Sequence, residues 1–161
     1  GYGEVIIQLA YRLALTGLPV PRLAGCSFAS GALECGRRFV ENYRVPVSLY
    51  ECRKPLMADA PLGPFKLVAL LDVLEHTAYP DDLLKQAIGR SSRYVAISVP
   101  GSEFPHDVQL DKQNHHVRQW TAEDLRELVE PHNLLVLGEA RNFRHEDHHL
   151  VLLFEVRGSE K

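Results

Sequence analysis

The chain predicts an α/β fold, a doubly wound and mainly parallel sheet that ends in an antiparallel hairpin. Three observations carry this expectation. Short apolar segments of strand length alternate with segments of helical period. Two of the strand-like runs, 65–74 (FKLVALLDVL) and 94–99 (YVAISV), are almost continuously apolar, as strands covered on both faces must be. The last two apolar segments, 134–140 and 149–156, follow each other with only a short charged turn at 144–147 between them, which makes them an antiparallel pair.

The elements read in order as follows. Residues 4–14 put Val5, Ile6, Leu9, Ala10 and Leu13 on one side at helical spacing, behind a glycine pair. A short strand at 22–27 follows two prolines, and a second helix at 31–42 turns Ala32, Leu33, Cys35, Phe39 and Val40 inward. Residues 45–50 alternate as a strand does, whereas 54–64 hold three prolines and form a loop. Behind Pro80 a helix spans 81–90, and Pro100 with Gly101 stops the strand at 94–99. Residues 101–119 lack periodicity and are rich in His, Asp, Gln and Asn. So long a polar loop in a compact domain is usually functional or disordered. Thr121 opens a helix running to about residue 130, with Asp124 at the reciprocal position of a capping box. No internal repeat is present, and residues 1–161 read as a single domain.

Composition narrows the function. Of 161 residues 45% are hydrophobic and 24% charged, with 18 basic against 21 acidic side chains and a net charge of −3. No block of like charge offers a footprint for nucleic acid or an anionic membrane, so a small-molecule substrate is expected. Cys26, Cys35 and Cys52 are odd in number and lack C-x-x-C spacing, which argues against a disulfide framework and for a reducing, cytoplasmic setting. The apolar run at 67–74 is too short to span a bilayer and contains Asp72. Oligomerisation stays open. Because the chain opens on Gly1 rather than Met, a native start upstream is expected.

In an open α/β sheet, ligands bind outside the carboxyl ends of the strands. Four segments end there in this reading: 1–3, 25–28, 71–77 and 98–116. A G-x-G pair before a helix lets a ligand approach bare backbone and free N–H donors, although two glycines also suit a plain flexible turn.

The run Phe65-Lys-Leu-Val-Ala-Leu-Leu-Asp-Val-Leu-Glu-His-Thr77, the following Pro-Asp-Asp-Leu-Leu helix and the strand Val-Ala-Ile-Ser-Val-Pro100 resemble the "F-D-L-V … L-E-H" and "I-S-x-P" regions of class I S-adenosylmethionine-dependent methyltransferases. His115-His116-Val-Arg-Gln-Trp-Thr-Ala-Glu-Asp-Leu125 is similar to that family's "H-V-R-x-W/F-T-x-E-x-L" segment. The resemblance implies a Rossmann-like fold, S-adenosylmethionine as cofactor and methyl transfer to a small acceptor. Gly1-Tyr-Gly-Glu4 looks like the end of the family's glycine loop, which implies that the fold's first strand is missing from this sequence. Upstream residues or a partner chain are then expected to pair with the strand at 67–74. The cofactor residues implied are Gly1, Tyr2, Gly3, Ser27, Phe28, Glu51, Leu71 and Asp72. Two departures stand out. Ser27 replaces the carboxylate that holds the ribose hydroxyls, and Lys66 replaces the Asp of "F-D-L-V".

Methyl transfer asks the protein to align nucleophile, carbon and sulfur and to take a proton where needed. His76 and His116 are the catalytic candidates implied, since an imidazole exchanges protons near neutral pH. The bland alternative is a strand-end histidine and an exposed loop histidine. Asp72, Glu75, His76 and one of His115 or His116 also suit a divalent ion and resemble the metal site of some members of the group, but the primary reading assigns no metal. The 145–149 run (HEDHH) reads as a solvated turn. A non-catalytic methyltransferase-like module is the second function carried forward. Dinucleotide binding is set aside, because neither a third glycine nor an acid some twenty residues on is present.

Overall fold

The computed structural model describes residues 3–27, 29–52, 64–101, 116–142 and 149–156. The chain divides into two compact units, Gly1–Pro61 and Leu62–Lys161.

In the first unit, α1 (Glu4–Leu15) and α2 (Ser30–Tyr43) pack on a parallel pair formed by β1 (Leu23–Ser27) and β2 (Val47–Glu51). Ile7, Ala10, Val45 and Val47 make its core, flanked by Ile6, Val20, Leu23, Val40 and Leu49. The helical periods are as expected, but their phases differ. On α1 the buried positions are Ile7 and Ala10, while Val5 is 62% exposed and Leu9 46%. On α2 they are Leu33 and Gly36, and Cys35 and Phe39 face outward. The buried stripe runs 33, 36, 40 instead of following the larger apolar residues. The displaced aromatics gather on the surface: Phe39 stacks on Tyr43 with ring centroids 6.0 Å apart, and Tyr11 meets Tyr43 at 5.3 Å.

The second unit holds β3 (Phe65–Leu71), α3 (Pro80–Arg90), β4 (Ser91–Pro100), α4 (Ala122–Val129), β5 (Leu134–Asn142) and β6 (His149–Val156). Its sheet has the order β3-β4-β6-β5. β3 and β4 are parallel, and β6 lies antiparallel between β4 and β5. Three of the four strands therefore run one way, and the C-terminal hairpin is as expected. Its turn at 144–147 lies outside the described residues.

Register explains the core. Val68, Val95 and Phe154 form one row across the sheet, and Leu70, Ile97 and Leu152 the next; all six are buried. α3 covers β3 and β4 from this face, with Leu83, Leu84 and Ala87 buried, and α4 adds Leu125 and Val129. Each leucine-sized side chain so buried contributes about 2 kcal/mol. β3 departs from the reading of a strand covered on both faces, because burial alternates along it and Leu67 and Leu71 are exposed. It also bonds to β4 alone among the described strands, where neighbours on both sides are expected. The strand stops at Leu71 and not at Leu74, because Asp72 takes a left-handed conformation, φ 51°. A single 3₁₀ turn, Leu74–His76, follows.

Thr121 caps α4 as its sequence predicts. Its Oγ1 accepts from the Asp124 N–H at 3.1 Å, and Asp124 Oδ2 accepts from the Thr121 N–H at 2.8 Å. No described helix is long and apolar enough to cross a membrane.

Candidate active site

The cluster that carries chemistry lies at the carboxyl ends of β3 and β4, within the second unit. The left-handed turn at Asp72 ends β3, and the 3₁₀ turn after it drives both Leu74 and Glu75 inward, leaving His76 on the rim. The backbone oxygen of Glu75 accepts from the Val117 N–H at 2.8 Å. This bond holds the segment at 116–117 against the turn. His76 and His116 consequently meet edge to face, with ring centroids 4.9 Å apart.

Glu75 lies close to both imidazoles and is only 2% exposed. Its Oε1 is 3.8 Å from His76 Nε2, and its Oε2 has no hydrogen-bond partner among the described residues. Burial is the largest influence on this carboxyl, and nearby Asp72 adds repulsion. A backbone hydrogen bond, His116 and His149 oppose them, and the outcome is a pKa pushed up to about 7. Ligand atoms of Glu75, His76 and His116 all lie within 4.8 Å of one another.

Asp72 is engaged differently. The Ser98 hydroxyl donates to its Oδ1 at 2.5 Å, its N–H donates to the Ser98 oxygen at 2.9 Å, and His149 Nδ1 lies 3.3 Å from the same Oδ1. These contacts link the ends of β3, β4 and β6. Leu71 pairs with Ser98 in register and is exposed. Trp120 is fully buried, with the Arg118 guanidinium 4.2 Å over its ring; it serves the core.

The other expected cofactor residues belong to the first unit. Gly3 precedes α1 with φ 80°, and a Cβ there would come within 3.0 Å of Leu49. Only glycine fits that backbone without strain. Gly3 makes no side-chain cap hydrogen bond to α1. Ser27 and Glu51 are register partners at the ends of β1 and β2. Ser27 is buried, and its hydroxyl oxygen accepts from the Ala29 N–H at 3.3 Å, whereas Glu51 is exposed. Gly1, Tyr2 and Phe28 lie outside the described residues, as does His115.

The structure thus brings His76 and His116 together, and separately pairs Ser27 with Glu51 at one end of β1 and β2, with Gly3 beside Leu49 of β2. Ser98 and His149 were not among the expected site residues, and Glu75 was expected only as a possible metal ligand. Glu75 was legible only in part: a carboxylate directly after Leu74 at a strand end is a signal, but its burial depends on the 3₁₀ turn.

No family model and no curated relative matches the chain. Solved structures do. Magnesium protoporphyrin IX methyltransferase from Synechocystis PCC 6803, with bound SAM, superposes with a TM-score of 0.71 at 14% identity, over 98% of this chain and 66% of that one. The fold is the class I methyltransferase fold. Geranyl diphosphate C-methyltransferase from Streptomyces coelicolor A3(2), in complex with S-adenosyl-L-homocysteine, has a TM-score of 0.71 at 10% identity, over 98% of this chain and 68% of that one. The cyclase SpnF shares the methyltransferase fold with a TM-score of 0.68 at 9% identity, over 89% of this chain and 69% of that one. The chain spans about two thirds of the length of these proteins.

Proposed function

We propose that the protein is an S-adenosylmethionine-dependent methyltransferase acting on a small molecule in the cytoplasm. The observation that carries this reading is the pairing of His76 and His116 beside buried Glu75, at the strand ends of a methyltransferase fold. A fold alone does not set a reaction, as a cyclase on the same scaffold illustrates. A proton-accepting cluster at the acceptor side supports transfer to a protonated nucleophile.

The residues of the first unit fit the cofactor in one respect and depart from it in another. The Gly3 turn and the start of α1 suit a close backbone approach and a carboxylate. Ser27 supplies a neutral hydroxyl where two charge-assisted bonds to a ribose are usual. The bound cofactor supplies an already activated methyl group. The chain's own tasks are then to orient the acceptor against the His76–His116 pair, to accept its proton at a ring nitrogen, and to keep water from Glu75.

The test is transfer of a labelled methyl group from S-adenosylmethionine into the small-molecule fraction of a cell extract. Wild type transfers label, and His76→Ala lowers the rate about 10²-fold with cofactor affinity nearly unchanged. Ser27 favours one second reading, a non-catalytic module of the same fold. Binding without transfer in any extract supports that reading instead.

A further inference from the structure

We propose that His149, held at Nδ1 by Asp72, is a further proton-accepting residue of this site and receives the acceptor's proton at Nε2.

The fold brings His149 there from the far end of the chain. In the sequence it closes the 145–149 run, which reads as a solvated turn. In the structure it opens β6 instead, and β6 runs antiparallel to β4 with His149 opposite Pro100. The start of β6 therefore lies at the carboxyl end of β4, the same edge at which β3 ends. His149 Nδ1 lies 3.3 Å from Asp72 Oδ1, a little longer than an ordinary N–H···O bond, as contacts of catalytic groups in ligand-free proteins often are. The carboxylate has little freedom to turn away. Its Oδ1 also accepts from the Ser98 hydroxyl at 2.5 Å, the Asp72 N–H donates to the Ser98 oxygen at 2.9 Å, and the backbone at Asp72 is left-handed, φ 51°. A left-handed aspartate costs energy and persists where its surroundings over-determine it.

This contact decides which ring nitrogen is free. An ionised carboxylate offers only lone pairs, so Nδ1 facing it carries the ring proton and Nε2, on the opposite edge of the ring, keeps the lone pair. His149 is also within electrostatic reach of the cluster already described. It acts on the Glu75 carboxyl together with His116 and Asp72, the two imidazoles lowering its pKa and Asp72 raising it. The His149 side chain is 29% exposed, so a ligand and solvent can both reach it. In the step, the acceptor atom takes the methyl carbon, with the electron pair of the broken carbon–sulfur bond left on sulfur, and gives its proton to His149 Nε2. The imidazolium so formed is offset by the Asp72 carboxylate and returns the proton to solvent. The inference rests on the methyl-transfer reading for the identity of this step, but not for the orientation of His149.

The test has two readouts on the full-length protein. Nitrogen-15 NMR of the ligand-free protein, at a pH where the ring is neutral, reads the tautomer of His149, whose signals are assigned by their loss in His149→Gln. Wild type is expected to carry the proton on Nδ1. Asp72→Asn should move it to Nε2, because an amide N–H turned toward the ring asks Nδ1 to accept. Ser98→Ala, which removes only a brace on the carboxylate, should leave it on Nδ1. The second readout is transfer of a labelled methyl group from S-adenosylmethionine into the small-molecule fraction of a cell extract, with S-adenosylhomocysteine binding measured by calorimetry on each variant. His149→Gln and Asp72→Asn should each lower the rate by about tenfold or more, with cofactor-product affinity nearly unchanged. A wild-type proton on Nε2, or a tautomer that Asp72→Asn leaves as it was, overturns the orientation by Asp72. Undiminished transfer by His149→Gln overturns the role of His149 and leaves methyl transfer standing. No transfer by wild type overturns the methyl-transfer reading, and the role of His149 falls with it.

Discussion

The Val117 N–H donates to the Glu75 backbone oxygen at 2.8 Å, and through this one bond the segment carrying His116 is seated against the turn carrying His76. The Val117 side chain itself is largely exposed. Its backbone therefore matters more than its packing.

Val117→Pro is accordingly expected to lower unfolding free energy by about 1 kcal/mol, the net worth of a backbone hydrogen bond, and to lower the rate of methyl transfer as His116 loses its anchor. Val117→Ala should do neither. Urea denaturation and methyl-transfer assays of the two variants check this, and equal effects would show that the bond does not position His116.

Glu75 makes stability depend on pH in the metal-free protein. Its carboxyl titrates near 7 when folded and near 4.5 when unfolded. Between these values the unfolded chain is ionised at this position and the folded one is not, so the unfolded state gains on every step upward in pH. Stability should be greatest below about 4.5, fall across the window to about 7, and lose up to roughly 3 kcal/mol from this group. In Glu75→Gln the slope across that window should flatten. Denaturant midpoints at pH 5 and 7, with chelator present, measure it; a slope that survives the substitution would assign it to other groups.

The cap of α4 supplies a third expectation. Thr121 and Asp124 satisfy each other's backbone N–H, and hydrogen bonds from the Thr121 hydroxyl and N–H hold the Asp124 carboxyl below the usual carboxylate range. Thr121→Ala should cost about 1 kcal/mol, and the double variant with Asp124→Ala should cost less than the two single changes added together. Because a depressed carboxyl stabilises only above its unfolded titration range, the Asp124 contribution should fade as pH falls through the acid range. Additive losses would mean that the two residues act separately.

Much of this architecture was legible before any coordinates. The hairpin, the cap at Thr121 and the strand at 94–99 are written in local pattern, and the structure keeps them. The meeting of His76 and His116 was legible too, because parallel strands bring their carboxyl ends to one edge of a sheet. What escaped the sequence are features set by packing. On α2 Gly36 is buried while Phe39 and Cys35 face out, against the count of apolar side chains. Leu67 and Leu71 look core-like in composition yet face outward on β3. The Asp72–Ser98–His149 contacts join residues up to 77 positions apart, and no local period encodes a contact of that range.

The central claim is that this methyltransferase fold binds S-adenosylmethionine, and titration of S-adenosylhomocysteine into the full-length protein by calorimetry tests it most directly. The account predicts saturable binding at one site with Kd near the micromolar range, about −8 kcal/mol. It also predicts tighter binding, by about tenfold, for Ser27→Asp, whose carboxylate can accept from two ribose hydroxyls. Absence of heat and of any shift in Tm at millimolar ligand, for both wild type and Ser27→Asp, would contradict the account.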